Sequence, residues 1–216
     1  MLESLTMVRH GESAGNAALA EAITAGAEES GPGLRDSDIP LSDLGRAQAG
    51  AVGKWLARQW DSVDAVLCSP YVRALETAEI ALRAGRAPAV RVDERLRDRE
   101  QGLLGGLTEL GVQRRYPAEA AARELMGRFY YRPPGGEAWT DVALRLRTLL
   151  PELEGHVLVF AHDLVIVMVR YILDDLDEST ILKIESNQLA NASISRWERD
   201  HSGLRLLKYN DVGHLQ

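Results

Sequence analysis

A chain of 216 residues, 45% hydrophobic, is long enough for a substantial core and ordinary in composition for a globular fold. Its formal net charge of −7 argues against general nucleic-acid binding, which favours a basic surface, and no apolar run approaches the length needed to cross a membrane. A single cysteine, Cys68, excludes an intrachain disulfide framework and reads as core at a strand end.

No Pro/Gly/Ser-rich linker divides the chain, so one domain over 1–216 is expected, without internal repeats. Leu5–Val8 reads as a short buried strand. It follows neither a basic segment nor a long apolar one, and a cytoplasmic location is the expectation. Ser42 is placed to cap a helix reaching about Trp60, with Ala47, Ala51 and Trp55 on one stripe and Val52 and Leu56 beside them. Val63–Leu67 is a second strand. Ser69-Pro70 reads as the start of the next helix, with Ser as cap and Pro at the first helical position. Val90–Val92 is a short strand, Glu137 to about Leu150 a helix, Val157–Phe160 a buried strand and Leu164–Leu173 its following helix. Ala192–Arg196 and Leu204–Lys208 read as a hairpin. Repeated strand–helix alternation predicts a mostly parallel sheet with helices on both faces, to which the hairpin adds an antiparallel edge.

Arg9-His10-Gly11-Glu12-Ser13 stands directly after the first strand, where turn residues of an open α/β sheet face the ligand crevice. A guanidinium grips phosphate bidentately, and a neutral imidazole is a nucleophile able to form a covalent intermediate. Taken alone, such a turn is as readily an incidental surface feature. Two later stretches shift the balance: Cys68-Ser69-Pro70-Tyr71-Val72-Arg73-Ala74-Leu75-Glu76-Thr77-Ala78, and His162 after the run Val157–Phe160.

With these three stretches in this order, from about Leu5 to at least Arg170, the chain resembles the histidine phosphatase superfamily. The resemblance implies a three-layer α/β/α fold. It implies His10 as the phosphorylated nucleophile, Arg9 and Arg73 as holders of the phosphoryl oxygens, and His162 as a second contributor of charge and a hydrogen bond. Asn16 matches an amide donor to phosphate, and Ser13 is a weaker candidate of the same kind. Related sequences place the proton-donating acid four residues before the glycine corresponding to Gly102, which selects Asp98; Glu100 is the second candidate. Both carboxylates also have Arg95, Arg97 and Arg99 for partners. Asp163 departs from the glycine that often follows the second histidine, and a carboxylate there has to turn away from phosphate, for instance to orient an arginine or histidine.

Two segments are candidates for setting the substrate. Residues 17–37 read as a flap near the mouth or as a solvated connection. Residues 107–137 read as an inserted cap, whose Arg114, Arg115, Tyr116, Phe129, Tyr130, Tyr131 and Arg132 either bind the leaving group or pack the cap. Pro133-Pro134-Gly135-Gly136-Glu137 reads as a turn into a helix. No metal and no cofactor is expected, since no His/Cys/Asp cluster has ligand spacing and Gly102–Gly106 lacks the Lys-Ser/Thr ending of a nucleotide loop. The expected activity is hydrolysis of a phosphomonoester, a small phosphorylated metabolite, through phosphohistidine. The alternatives are a phosphoglycerate-type mutase, for which Arg114-Arg115 stays open as the basic segment, and a non-catalytic phospholigand-binding protein. No nucleic-acid or membrane partner is expected, and a homodimer stays open.

Overall fold

The computed structural model describes residues 1–31, 33–58, 63–83 and 87–216. Six strands form one sheet: β1 (Leu2–Arg9), β2 (Ala65–Cys68), β3 (Val90–Val92), β4 (Gly155–Ala161), β5 (Ile194–Asp200) and β6 (Gly203–Asp211), in the order β3-β2-β4-β1-β5-β6. β3, β2, β4 and β1 run parallel. β5 pairs antiparallel with β1 and β6 with β5, so the C-terminal hairpin supplies the antiparallel edge.

Alternation along the strands sends side chains to opposite faces. Leu5 and Met7 of β1 and Val157, Val159 and Ala161 of β4 join one apolar cluster, with Val142 and Leu146 of α6 (Trp139–Leu149) and Val165–Val169 of α7 (Asp163–Leu173). Val8, Leu158 and Phe160 join the other, with Val52 and Leu56 of α2 (Asp43–Leu56) and Ala74, Ala78 and Ala81 of α3 (Val72–Leu82). Helices therefore cover both faces, as expected. Cys68 lies in this second cluster, and burial pushes its thiol up to about 12, which suits a core residue.

Several local expectations need correction. α2 is capped by Ser42, whose hydroxyl accepts from the Gly45 amide, but its buried face is Gly45, Ala49, Val52, Gly53 and Leu56, and Ala47 is exposed. The face is rotated because two glycines lie on it. A Cβ on Gly45 would stand 2.0 Å from the Glu12 carbonyl oxygen, and one on Gly53 would stand 2.8 Å from that of Ala81. The expected end at Trp60 lies outside the described residues. α3 starts at Val72, not at Ser69-Pro70: its first carbonyl acceptor is Tyr71, which takes the Ala74 and Leu75 amides, while the Ser69 hydroxyl accepts from the Tyr71 amide at 3.3 Å and meets His162. α6 starts at Trp139, two residues after Glu137.

The 17–37 segment opens with α1 (Ala14–Ala25), ended by Gly26 in the left-handed region at φ 63°. Beyond it, Glu28 pairs with Arg114 and Arg115, and Glu29 pairs with Arg115. These arginines end α4 (Glu109–Arg115), which leads into α5 (Pro117–Tyr130). Of the aromatics of this stretch, Phe129 and Tyr131 pack, while Tyr130 is exposed. Phe129 is buried against Trp139 and Tyr171, and the buried Tyr131 donates its hydroxyl to Glu119. α8 (Glu178–Glu185) follows α7 and buries Ile181.

The glycines of α2 give a paired test. Gly45→Ala forces a methyl into the Glu12 backbone and should destabilise by roughly 1–3 kcal/mol. Gly50→Ala in the same helix meets nothing within 4 Å and should stabilise by about 0.5–1 kcal/mol. Thermal unfolding of both variants checks the close approach, and shifts of the same sign would refute it.

Candidate active site

Three parallel strands end side by side, and the residue after each is polar. β1 delivers His10, β2 Ser69 and β4 His162. The ends are fastened together by His10 N–H to the Ala161 carbonyl at 2.9 Å and Ser69 N–H to the Phe160 carbonyl at 3.0 Å. This is the carboxyl edge where open α/β sheets bind ligands.

His10 is buried, and its Nδ1 lies 2.7 Å from the Gly11 carbonyl oxygen. A carbonyl only accepts, so Nδ1 carries the proton and Nε2 keeps its lone pair. Burial, then His162, Arg73 and Arg9, hold the imidazole well below its ordinary range, which leaves it neutral and nucleophilic. The His162 ring stands edge-on, with centroids 5.2 Å apart. It is fully buried, with Nε2 2.8 Å from the Ser69 hydroxyl and Nδ1 3.4 Å from Asp98 Oδ2. Burial first, then Arg73, Arg145 and Arg9, keep it neutral too.

Arg73 is buried over the Tyr71 ring, its Cζ 4.9 Å from the ring centre. Nη1 donates to the Asp36 carbonyl at 2.6 Å and Oδ1 at 3.1 Å; Nη2 donates to Asp36 Oδ2 at 3.1 Å and Asp98 Oδ2 at 2.8 Å. Two carboxylates thus converge on one guanidinium. Burial pushes the Asp36 carboxyl up, against the opposing pull of Arg73. Arg9 is buried as well. It donates to the Leu189 carbonyl, and its Nη2 stands 3.5 Å from Asp163 Oδ2. The carboxylate at the departing position therefore turns to an arginine of the site.

Asp98 is brought to Arg73 and His162. Glu100 is not: its carboxylate is exposed and accepts from the Gly102 amide at 3.3 Å. Ser13 caps α1, its hydroxyl accepting from the Asn16 amide and donating to Asn16 Oδ1. Asn16 Oδ1 accepts from the Ser13 amide, the Ser13 hydroxyl and Asn191 Nδ2, which leaves the Asn16 NH2 group for a further acceptor.

The sequence reading missed several positioning groups. Thr77 accepts from the Gly11 amide at 3.1 Å and donates to the Arg73 carbonyl at 2.7 Å, so one hydroxyl ties the turn after β1 to α3. Asn191 donates to the His10 carbonyl and to Asn16. Glu137 receives Arg97 at 2.6 Å, Arg145 at 3.1 Å and the Glu100 amide, while Arg145 also donates to the Asp98 carbonyl at 3.2 Å. Asp36 was legible only as one acidic residue in a polar segment.

A match to the family model of the histidine phosphatase superfamily, branch 1, spans residues 5–212. The chain belongs to that superfamily. It is 34% identical over 190 residues to the 2,3-bisphosphoglycerate-dependent phosphoglycerate mutase 2 of Gloeobacter violaceus, covering 84% of this chain and 80% of that one. Among solved structures it is similar to the mycobacterial glucosyl-3-phosphoglycerate phosphatase with inorganic phosphate, with a TM-score of 0.76, 25% identity, and 99% and 100% of the two chains covered. It is equally similar to YhfR of Bacillus stearothermophilus, with a TM-score of 0.77, 25% identity and 100% of both chains covered. The superfamily makes this protein an enzyme acting on phosphoesters.

Burial of neutral imidazoles has a sign that can be measured. Above an ordinary histidine pKa of about 6.5, folded and unfolded chains are both unprotonated at these rings, and stability is full. As pH falls through that value the unfolded chain takes up protons that His10 and His162 refuse, so stability declines toward their lower folded pKa values. The slope should approach about 1.4 kcal/mol per pH unit for each ring. His214, lowered chiefly by burial, adds in the same direction. His162→Gln should flatten the slope by one histidine's share; urea unfolding between about pH 7.5 and 5.5 reads it, and an unchanged slope would count against a neutral buried His162.

Proposed function

We propose that the protein hydrolyses phosphomonoesters of small metabolites through a phosphohistidine on His10. The observation that carries this reading is the free Nε2 lone pair of a neutral, buried imidazole set among Arg9, Arg73 and the second imidazole of His162. A phosphate dianion suits two guanidiniums whose present partners are carboxylates and two backbone carbonyls, which it can replace. Nε2 attacks phosphorus, the ester P–O bond breaks, and Asp98 gives its proton to the leaving oxygen. Water then attacks the phosphohistidine, Asp98 takes back a proton, and the P–N bond breaks to release inorganic phosphate and neutral His10. Asp98 is the carboxyl placed for both proton transfers, with Oδ2 2.8 Å from Arg73 Nη2 and 3.4 Å from His162 Nδ1. Asn16, through its NH2 group, adds a neutral donor to the phosphate.

The mutase reading draws support from the named relative. It is disfavoured because Arg114 and Arg115, the candidate basic segment for a phosphoglycerate, are paired with Glu28 and Glu29 at the surface. Incubation with 3-phosphoglycerate and 2,3-bisphosphoglycerate separates the two, since isomerisation marks the mutase and release of inorganic phosphate the hydrolase.

His10→Ala should lower kcat on p-nitrophenyl phosphate by roughly 10³-fold or more, because groups acting as a unit fail together. Rapid quench of the wild type should trap an acid-labile, base-stable phosphoenzyme, and label on any other residue would reject the scheme. Asp98→Asn should slow alkyl phosphates far more than p-nitrophenyl phosphate, whose leaving group needs little protonation. Equal slowing would remove Asp98 from the role of acid.

Asp36 occupies the Arg73 donors that a phosphate needs. Asp36→Ala should therefore lower KM and the inhibition constant of inorganic phosphate by roughly 3–10-fold, the scale of one charge-assisted contact in a partly solvated site. A raised KM would show instead that Asp36 orients Arg73 for substrate.

A further inference from the structure

A cavity of about 260 Å3 is lined by Asp98 and Asp163 and walled by the loop 98–101, by Arg128 and Trp139, by the start of α7 and by Glu185 and Gln188 at and just beyond the end of α8. It adjoins the reaction centre through Asp98, which touches Arg73 and His162, and through Asp163, which pairs with Arg9. A phosphoryl group attacked in line by His10 projects its leaving oxygen away from that ring and toward the acid, so the alcohol part of the ester is directed into this cavity. The space equals that of roughly nine waters at ~30 Å3 each, which suits one monosaccharide-sized group.

The lining is incompletely satisfied in two complementary ways. Glu185 accepts from Arg128 with Oε1 at 3.0 Å, while its Oε2 is buried without a hydrogen-bond partner. Burial raises the Glu185 carboxyl, as expected of an acceptor lacking donors. Elsewhere on the lining, the Arg99 side chain donates to the backbone carbonyls of Glu137 at 2.6 Å and Tyr131 at 3.4 Å, and it forms no ion pair among the described residues. One part of the lining therefore lacks a donor and another an acceptor. A hydroxyl is both. A carboxylate on the ligand would answer Arg99 but would meet Glu185, Asp98 and Asp163 on the same lining. An alkyl group would leave both polar residues unanswered. The side-chain amides of Gln101 and Gln188 each add a donor and an acceptor.

We infer that this cavity is the leaving-group subsite and that it takes a polyhydroxylated alcohol, a sugar or polyol, read by Glu185 and Arg99. The inference rests on the phosphomonoesterase reading of His10 and Asp98, and the test keeps the two apart. The better of glucose-6-phosphate and sorbitol-6-phosphate is compared with n-hexyl phosphate by kcat/KM. All are primary esters of six-carbon alcohols, so the ratio isolates the hydroxyls. The hydrophobic effect favours hexyl against Trp139, Leu164 and Val167, so a ratio above one requires polar recognition. The wild type should prefer the polyol ester at least tenfold. Glu185→Gln, isosteric but presenting an amide in place of the unpartnered oxygen, should cut that ratio at least fivefold, and Gln188→Ala, at an exposed position, should reduce it to a lesser degree. A wild-type ratio near one, or a ratio that survives Glu185→Gln, would overturn the subsite while p-nitrophenyl phosphate still turned over. Were no ester hydrolysed, the phosphatase reading would fail by itself. Calorimetric binding of the corresponding phosphonates reads the same selectivity without turnover, and equal affinities for the polyol and hexyl phosphonates would refute the subsite there as well.

Discussion

A buried guanidinium needs anions around it, and the arrangement of the site follows from how Arg73 obtains them. Removing one partner from a buried ion pair typically costs about 3–5 kcal/mol, because the remaining charge is left without compensation. Arg73 is almost wholly enclosed, and its guanidinium donates to oxygens of Asp36 and Asp98. The helix that carries it is tied to the His10 turn through Thr77, and the Tyr71 ring fills the space beneath its plane. His10 and Arg73 are thus parts of one hydrogen-bonded unit. Moving either one disturbs the other.

The acid stands on a loop, and loops need fastening. Here the fastening is backbone against backbone. Gly102, at φ 53°, lies so close to the 133–136 turn that a Cβ would approach the Pro134 carbonyl oxygen to 2.2 Å, and a Cβ on Gly136 would approach that of Glu100 to 2.5 Å. Glu137, directly after that turn, gathers Arg97, Arg145 and the Glu100 amide, and Arg145 reaches on to the Asp98 carbonyl. A side chain of only two rotatable bonds is therefore aimed by its backbone. That explains how Asp98 reaches Arg73 and His162 while Glu100, longer but differently directed, stays outside.

Strand positions and the two histidines were legible because both depend on local pattern. Apolar runs of four to eight residues ending in His10 and His162 need only a parallel neighbour to bring those rings together. The α2 face was misread because hydrophobicity does not register a glycine whose value lies in the side chain it lacks, as at Gly45 and Gly53. Ser69-Pro70 has the form of a helix start, yet the helix is capped two residues later at Tyr71, and the serine hydroxyl also meets a tertiary partner, His162. Asp36 was illegible for a different reason. An aspartate in a polar segment is ordinary until the fold carries it across to an arginine 37 positions away. The same holds for Glu185 and Arg99, whose complementarity exists only where α8 meets the acid loop.

The chain is acidic overall, yet it must attract an anion. The site does so without a bare positive pocket. Arg9 stands near Asp163, and Arg73 is held by Asp36 and Asp98. Binding a phosphate is then an exchange of carboxylates for phosphoryl oxygens, and the affinity is a difference between two sets of charge-assisted hydrogen bonds. A ligand with a single negative charge gains little from such an exchange. A phosphate dianion presents three acceptor oxygens and can replace Asp36 at Arg73. The carboxylates already in place favour phosphate over a competing carboxylate, which offers Arg73 what it holds already.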